Sequence, residues 1–383
     1  TLTDAAIITL SVSGMKRLVL YSTARLVMLP SRTRWLQFVT VSFISLFCVY
    51  LIIDWNLMDM FKCVSINGCL NNPERAIPVK IVLFGEQFEG PWHPEMADKT
   101  YIINNVICDI TTGQSEARTA DAVVFHFRDT LCSFPEYRQP SQVWILHTLE
   151  SKYNEWLPEV NCPQPVFNRS WNFVDSSDAV FKYGYVEPTS EPTPPTNILK
   201  DKVGSVLWFV SNCQSDNERL RYVESLANYT DVHIVTRECK FSNPRIQTLS
   251  CQDCNALVKE YRFYLGFENS FCEDYITEKP FRGLIFGAVP IVYGGANYSK
   301  FLPEHSFIDA RKYSPKELGQ YLTYLNNNEE EYLKFYSWRR THKARYTNIT
   351  EEVCKLCMKV VEWNNTHKTI GTKNDYFESL RCE

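Results

Sequence analysis

Phe263-Tyr-Leu-Gly-Phe-Glu-Asn-Ser-Phe-Cys-Glu-Asp-Tyr-Ile-Thr-Glu-Lys279 sets an apolar, aromatic strand directly before a dense polar cluster and then a helix. Phe263 to Phe267 is short and strand-like, while Thr277, Glu278 and Lys279 open a segment, Phe281 to Phe286, whose apolar positions suit a helix. The polar groups therefore fall at the carboxyl end of a strand, the edge at which open α/β sheets bind ligands. A lysine beside the first turn of a helix suits a phosphate on both dipole and charge grounds. The competing reading is an ordinary solvated helix start. Against it stands the cost of setting charge beside a buried strand without a partner.

Outward from that stretch the chain reads as α/β. Val79 to Phe84, Ala122 to His126 and Val143 to His147 are parallel-looking apolar runs, each followed by polar residues, and imply one Rossmann-like half. Ser205 to Val210, Val232 to Val235, Phe263 to Phe267 and Ala288 to Val292 supply a second. A helix is expected over about 216–227, where Leu220, Tyr222, Val223 and Leu226 recur near helical spacing. Between the halves, Glu187-Pro-Thr-Ser-Glu-Pro-Thr-Pro-Pro-Thr196 holds four prolines in ten residues, a linker by composition. The expected layout is a Rossmann-like domain over 77–186, a Pro-rich linker over 187–200, a second Rossmann-like domain over 201–345 facing the first across a cleft, and a Cys-containing tail over 346–383.

With 383 residues, 45% of them apolar, the chain can fill two cores, which excludes a disordered or fibrous protein. Its 40 basic and 44 acidic residues leave a formal charge of −4, which gives no electrostatic case for nucleic acid. Trp35 and Trp55 bracket Leu36 to Ile53, eighteen residues without a charge, preceded by Lys16, Arg17, Arg25, Arg32 and Arg34 and followed by Asp54 and Asp59. That pattern predicts one membrane-spanning helix over 35–55, a cytosolic tail over 1–34, a short stem over 56–76 and a lumenal remainder. With Thr1 first, Met15 stands as an alternative start. Fourteen cysteines and sequons at Asn168, Asn228, Asn297, Asn348 and Asn364 suit an oxidising, secretory compartment.

Several residues are placed to do chemistry. Glu150 ends the run Val143 to Leu149, where a first-half strand enters the cleft, and a carboxylate there can accept a hydroxyl proton. A solvated turn residue is the alternative. Ser211, Asn212 and Arg219 occupy the loop and helix start after Trp208-Phe-Val210, across the cleft from Glu150. The planar fork of arginine suits a diphosphate, and Lys279 would complete a cationic clamp. Nothing has the spacing of an Asp-x-Asp metal site, so no metal or other cofactor is expected. Cys251-x-x-Cys254 and Cys354-x-x-Cys357 could supply four zinc thiolates, but an oxidising lumen favours disulfides.

The run Phe267-Glu-Asn-Ser-x4-Tyr-Ile-Thr-Glu-Lys279, followed by Gly287-Ala-Val-Pro-Ile-Val-Tyr-Gly294, resembles the donor-binding signature of the α1,3-fucosyltransferases that use GDP-fucose. The resemblance covers roughly Lys80 to Cys357 and implies a GT-B architecture and inverting transfer of fucose to a hydroxyl of N-acetylglucosamine in a glycoprotein or glycolipid glycan. It implies a type II Golgi membrane protein, with GDP-fucose as donor substrate. It further implies that Glu150 is the base, that Arg219 and Lys279 neutralise the departing diphosphate, and that Ser211, Asn212, Asn269, Tyr275, Glu278 and, by a weaker match in Phe84-Gly-Glu-Gln87, Gln87 hold the donor. Arg128 and Asp129 become acceptor-side or structural candidates, and Glu268 a structural one. In the family the late cysteine pair is tied to the first domain, where Cys108 occupies one such position. The chain departs from the family at Lys152, where a proline is usual, and at Phe173-Val174, where a Tyr-Arg pair is usual. Those departures motivate a rival reading as an inactive, membrane-tethered glycan-binding protein. A same-fold transferase using another nucleotide sugar is a second rival.

Overall fold

Ala122-Val-Val-Phe-His126 and Val143-Trp-Ile-Leu-His147 are buried at every position, as parallel strands covered on both faces must be. They belong to a computed structural model that describes residues 76–382, apart from 156–160, 193–198, 200–201, 216–217 and 364–365, together with a few two-residue strands before residue 66. The chain divides into units 1–61 and 62–383. In the first, Ile7–Ile8 pairs with Val19–Leu20 and Ser11–Val12 with Met15–Lys16, both antiparallel. The expected span over 35–55, and nearly all of the expected stem over 56–76, lie outside the described residues. Among the described residues no helix is long and apolar enough to cross a membrane.

The second unit holds two sheets. The first is built from β1 (Ile77–Phe84), β2 (Lys99–Ile103), β3 (Val106–Thr111), β4 (Ala122–His126), β5 (Val143–His147), β6 (Arg169–Asn172) and β7 (Ala179–Val180). Their order is β7-β6-β5-β4-β1-β3-β2, with Val64–Ser65 beyond β2. Pairing is parallel from β7 to β3, and β2 adds an antiparallel edge. β8 (Gly184–Pro188) then leaves the first half and pairs antiparallel with β15 (His342–Tyr346). The segment expected as a linker from residue 187 therefore begins inside a strand.

The second sheet contains β9 (Val203–Phe209), β10 (Val232–Val235), β11 (Ile246–Leu249), β12 (Tyr261–Phe267), β13 (Val289–Tyr293) and β14 (Ile308–Asp309). All are parallel, in the order β11-β10-β9-β12-β13-β14. Chain order reverses between β9 and β12, which makes their carboxyl ends the switch point where such sheets bind ligands. Between strands run α1 (Arg219–Leu226), α2 (Cys254–Lys259), α3 (Glu278–Phe286) and α4 (Tyr298–Phe301), and after β14 come α5 (Pro315–Asn327) and α6 (Glu329–Lys334). Val223 and Leu226 of α1 and Leu318, Leu322 and Leu325 of α5 pack with Val206, Trp208, Phe263, Leu265 and Ile291 in one core.

α3 is fixed at both ends. The Thr277 side chain caps the amide of Lys279, and Gly287 ends the helix in the left-handed region at φ 84°. A side chain at Gly266 would stand 3.1 Å from the Pro280 backbone, so this glycine lets the helix lie directly on β12.

The segment over 346–383, expected as a tail, is part of the first half's core. On α7 (Ile349–Trp363), Val353, Leu356, Val360 and Trp363 join Val79, Ile81, Leu83, Val124 and Trp171 on one face of the first sheet. On the other face, Tyr376 of α8 (Lys373–Ser379) and Leu380 join Val82, Phe125 and Trp144. The disulfide Cys108–Cys357 links β3 to α7, and Cys354 is also disulfide-bonded.

Candidate functional site

The two sheets point their carboxyl edges into one cleft of about 800 Å³, within the size range of nucleotide-binding pockets. Eight of the nine expected site residues line it: Glu150, Ser211, Asn212, Arg219, Asn269, Tyr275, Glu278 and Lys279. Gln87 does not. It sits in the loop after β1, where its Oε1 accepts the His93 amide at 3.2 Å. The physical reason is the tight turn that begins at Gln87, whose amide and carbonyl both bond to Gly90 and turn the loop back on itself.

Arg219 is the first residue of α1 and is 3% exposed. Its guanidinium donates to the carbonyls of Phe267 and Asn212, at 2.9 Å each, and so ties the ends of β12 and β9 together at the switch point. Burial holds it below the usual arginine value, and the nearby Glu268 carboxylate opposes this. Arg219 Nε and the Asn269 Oδ1 are buried without a hydrogen-bond partner, leaving one donor and one acceptor in the cleft wall.

Lys279 is anchored by the fully buried Glu268. Its Nζ donates to Glu268 Oε2 at 3.0 Å and to Thr277 Oγ1 at 2.8 Å, and lies 3.6 Å from Glu278 Oε1. The Thr277 amide and hydroxyl also donate to Glu268. Burial alone would lower the Lys279 ammonium, but Glu268 and Glu278 reverse this and hold it charged. Burial pushes Glu278 up, and Lys279 and Arg282 pull it below the usual carboxylate range. Glu268 is thus the residue that aims the cation. By contrast Arg221, on the same helix as Arg219, is 77% exposed and pairs with Glu218.

Glu150 faces this cationic wall from the first half. The Tyr275 hydroxyl donates to Glu150 Oε2 at 3.2 Å, so a residue expected to hold the donor also orients the carboxylate. Burial raises Tyr275 well above the usual tyrosine value, which keeps it a proton donor. The Tyr183 hydroxyl donates to the Leu149 carbonyl and fixes the backbone just before Glu150. The halves are joined beside it by side chains. Ser151 and Ser270 share a hydrogen bond of 2.6 Å, Asn154 Nδ2 donates to both hydroxyls, and Asn212 Nδ2 donates to Asn154 Oδ1 at 2.8 Å.

Sequence reasoning missed Asn154, Thr236, Arg237 and Arg282 in the cleft wall. Asn154 carried a usable signal, because it closes the same short 3-10 turn, Lys152–Asn154, that follows Glu150. Thr236 and Arg237 follow β10 at the same edge as Ser211, so the strand ends alone point to them. Arg128 lines the cleft, whereas Asp129 faces the loop at 88–89.

The two departures fall away from the cationic wall. Lys152 Nζ donates to Glu378 Oε2 at 3.1 Å and lies over the Phe377 ring, reaching α8 rather than the cleft. Phe173 packs on Tyr275 with centroids 4.9 Å apart. With Val174 it lines a neighbouring cavity of about 400 Å³, closed by the disulfide Cys272–Cys382. Cys251 and Cys254 are bonded to each other, which removes the zinc alternative for that pair. Among the described residues no cluster of three or more His, Cys, Asp or Glu side chains is arranged to hold a metal.

This geometry pairs a carboxylate that can take a proton with fixed cations that can stabilise a departing anion. The chain matches the model of fucosyltransferase N-terminal regions over residues 77–184 and that of the C-terminal region of glycosyltransferase family 10 (fucosyltransferase) over 199–375. It is 34% identical to the Homo sapiens 4-galactosyl-N-acetylglucosaminide 3-alpha-L-fucosyltransferase FUT6, over 67% of this chain and 71% of that one. It is 31% identical to the Bos taurus 3-galactosyl-N-acetylglucosaminide 4-alpha-L-fucosyltransferase FUT3, over 79% and 82%. A crystal structure of an alpha1,3-fucosyltransferase with GDP superposes with a TM-score of 0.50 at 16% identity, covering 79% of this chain and 95% of that one, and shows the shared GT-B-like fold. Two matched halves, relatives above 30% identity and a common fold place this chain in glycosyltransferase family 10, the fucosyltransferases.

Proposed function

We propose that the protein is an inverting α1,3-fucosyltransferase that moves L-fucose from GDP-fucose to a hydroxyl of N-acetylglucosamine in a glycoprotein or glycolipid glycan. One observation carries the reading: Glu150 and the cations Arg219 and Lys279 stand in the walls of a single cleft at the switch point of the second sheet. Glu150, oriented by Tyr275, takes the proton of the acceptor hydroxyl as its oxygen attacks the anomeric carbon. Attack from the face opposite GDP converts the β-linked donor to an α-linked product. Arg219 and Lys279 carry the charge that grows on the diphosphate, and Ser211, Asn212, Asn269 and Glu278 offer donors and acceptors to the donor's hydroxyls and phosphates. In this reading no metal ion is needed, so chelation leaves the rate unchanged.

We place the catalytic region in the lumen of the Golgi, on a single-pass type II membrane protein. The support is the uncharged run over 36–53, five disulfides among the described residues, and exposed sequon asparagines at 228, 297 and 348. Asn168 differs, since its amide oxygen accepts the Trp144 amide at 2.8 Å and its nitrogen donates to the Lys368 carbonyl.

The test is transfer of labelled fucose from GDP-fucose to core and outer-branch glycans by the lumenal protein, with Glu150→Gln beside it. Transfer to one glycan class that falls about a thousandfold in the folded variant supports the reaction and the base. A folded wild type that transfers to nothing, while another nucleotide sugar protects it from heat, replaces the donor.

A further inference from the structure

The loop after β1 is strained. Gln87 N donates to the Gly90 carbonyl at 2.8 Å and Gly90 N donates back to Gln87 at 3.2 Å, closing a tight hairpin. At its centre stand Phe88 and Glu89, at φ 55° and 58°. Two central residues at positive φ mark a type I′ turn, whose centre ordinarily holds Asn and Gly. A phenylalanine there is a steric outlier, and it persists only where surrounding contacts over-determine it.

Asp129 supplies those contacts. Its carboxylate accepts the Phe88 amide at 2.7 Å, the Glu89 amide at 2.9 Å and His126 Nδ1 at 2.5 Å. Burial pushes Asp129 up, but the two turn amides and His126 more than reverse this and hold it below the usual carboxylate range.

The ring held this way is left uncovered. Phe88 keeps 47% of its surface exposed. The Arg128 guanidinium lies 5.1 Å from its centroid, and His126 meets it edge-on at 4.5 Å. Arg128 is itself in the cleft wall, so the ring stands at the cleft's rim, on the half that carries Glu150. A single ring backed by a cation is too small for a protein-docking patch. It suits the apolar C–H face of one sugar ring, whose hydroxyls stay in water.

We propose that Phe88 is a stacking platform for a pyranose of the acceptor glycan, held out by the strained turn and its Asp129 latch. The inference rests on the proposed fucosyl transfer, in which the acceptor approaches from the Glu150 side.

The test measures both binding and turnover. Wild type, Phe88→Asn and Phe88→Trp are compared for calorimetric affinity, with GDP present, toward N-acetyllactosamine and toward an N-glycan with its core N-acetylglucosamine pair, and for the KM of each substrate. Phe88→Asn relaxes the turn, so it should unfold at an equal or higher temperature while acceptor Kd and KM rise about fivefold to tenfold. Phe88→Trp should stay within twofold, and the KM for GDP-fucose should not move in either. An acceptor Kd unchanged in Phe88→Asn overturns the platform, as does an equal rise for donor and acceptor, which would mark a purely structural loop. A wild type that binds glycan through Phe88 but transfers no fucose keeps the platform and refutes the reaction. A wild type that binds neither glycan refutes the platform.

Discussion

The helices that cover the second sheet are made between its own strands or directly after the last one, whereas the first sheet takes α7 and α8 from the far end of the chain. Among the described residues no α-helix lies between β1 and β7. The second half therefore fixes its site with short-range devices: Thr277 caps α3, Glu268 aims Lys279 from eleven residues away, and Gly266 lets the helix touch its strand. The first half fixes Glu150 through distant parts, namely Tyr275, Ser270 and Asn212 across the cleft and α8 behind Lys152. In this molecule, the Lys279 site is a local construction and the carboxylate site a global one, with Arg219 between them, held from β12.

Three experiments sharpen or break that contrast. Lys279→Met has the largest expected effect, because it removes a cleft cation and the ammonium beside the buried Glu268. Transfer should fall a hundredfold to a thousandfold and stability by about 3 kcal/mol, read from steady-state rates and denaturant unfolding. A loss of stability without a loss of rate would show that Lys279 only supports Glu268.

Replacing both Cys108 and Cys357 by Ser opens a link that spans 249 residues. In the chain-entropy picture the first half loses about 3–5 kcal/mol, and hydrogen exchange should show the loss in β1, β3 and α7 before β9 and β12. Uniform loss across both sheets would break the contrast.

The smallest effect is in the pH profile. Burial pushes Glu155 up to about 7, against the hydrogen bond from Thr148 and the charge of Arg128, with Glu150 adding to the rise. Burial likewise drops His147 to about 3. A raised acid contributes stability that is complete below its unfolded value and lost as pH climbs toward 7. A depressed imidazole contributes stability that is lost as pH falls below 6.5. Between about pH 4.5 and 6.5 the two slopes cancel. Glu155→Gln should uncover the imidazole, so that stability in this window rises with pH more steeply than in wild type, by about 1.4 kcal/mol per unit. Parallel profiles for variant and wild type would remove Glu155 from the account.

The same contrast explains what could be read from the sequence. The strand and helix around Lys279 are legible because apolar period, cap and glycine stop lie within one short stretch, Phe263 to Gly287. The role of 349–379 is not, because helical spacing shows that α7 has an apolar face but not which sheet it covers. β2 and β3 were missed because about half of each strand is only partly buried, so Lys99, Thr100, Asp109 and Thr111 break the apolar run. The position of Glu150 at a strand end is legible, but only the family resemblance separates it from a solvated turn residue, while Gln87 misleads because the turn at Phe88 redirects its amide toward His93.

The late arrival of α7 and α8 also orders events at the ribosome. Strands β1 to β7 emerge first, but both faces of their sheet wait for α7 and α8; β3 meets α7 only 249 residues later, roughly 10 to 50 s of synthesis. The second sheet meets all of its helices by Lys334. The half translated second is thus able to close first, and nascent chains carry a sticky, half-clothed sheet until the last helix is delivered. Folding enzymes that shield apolar strands or shuffle cysteines have that interval in which to act, and Cys108 waits through all of it for its partner.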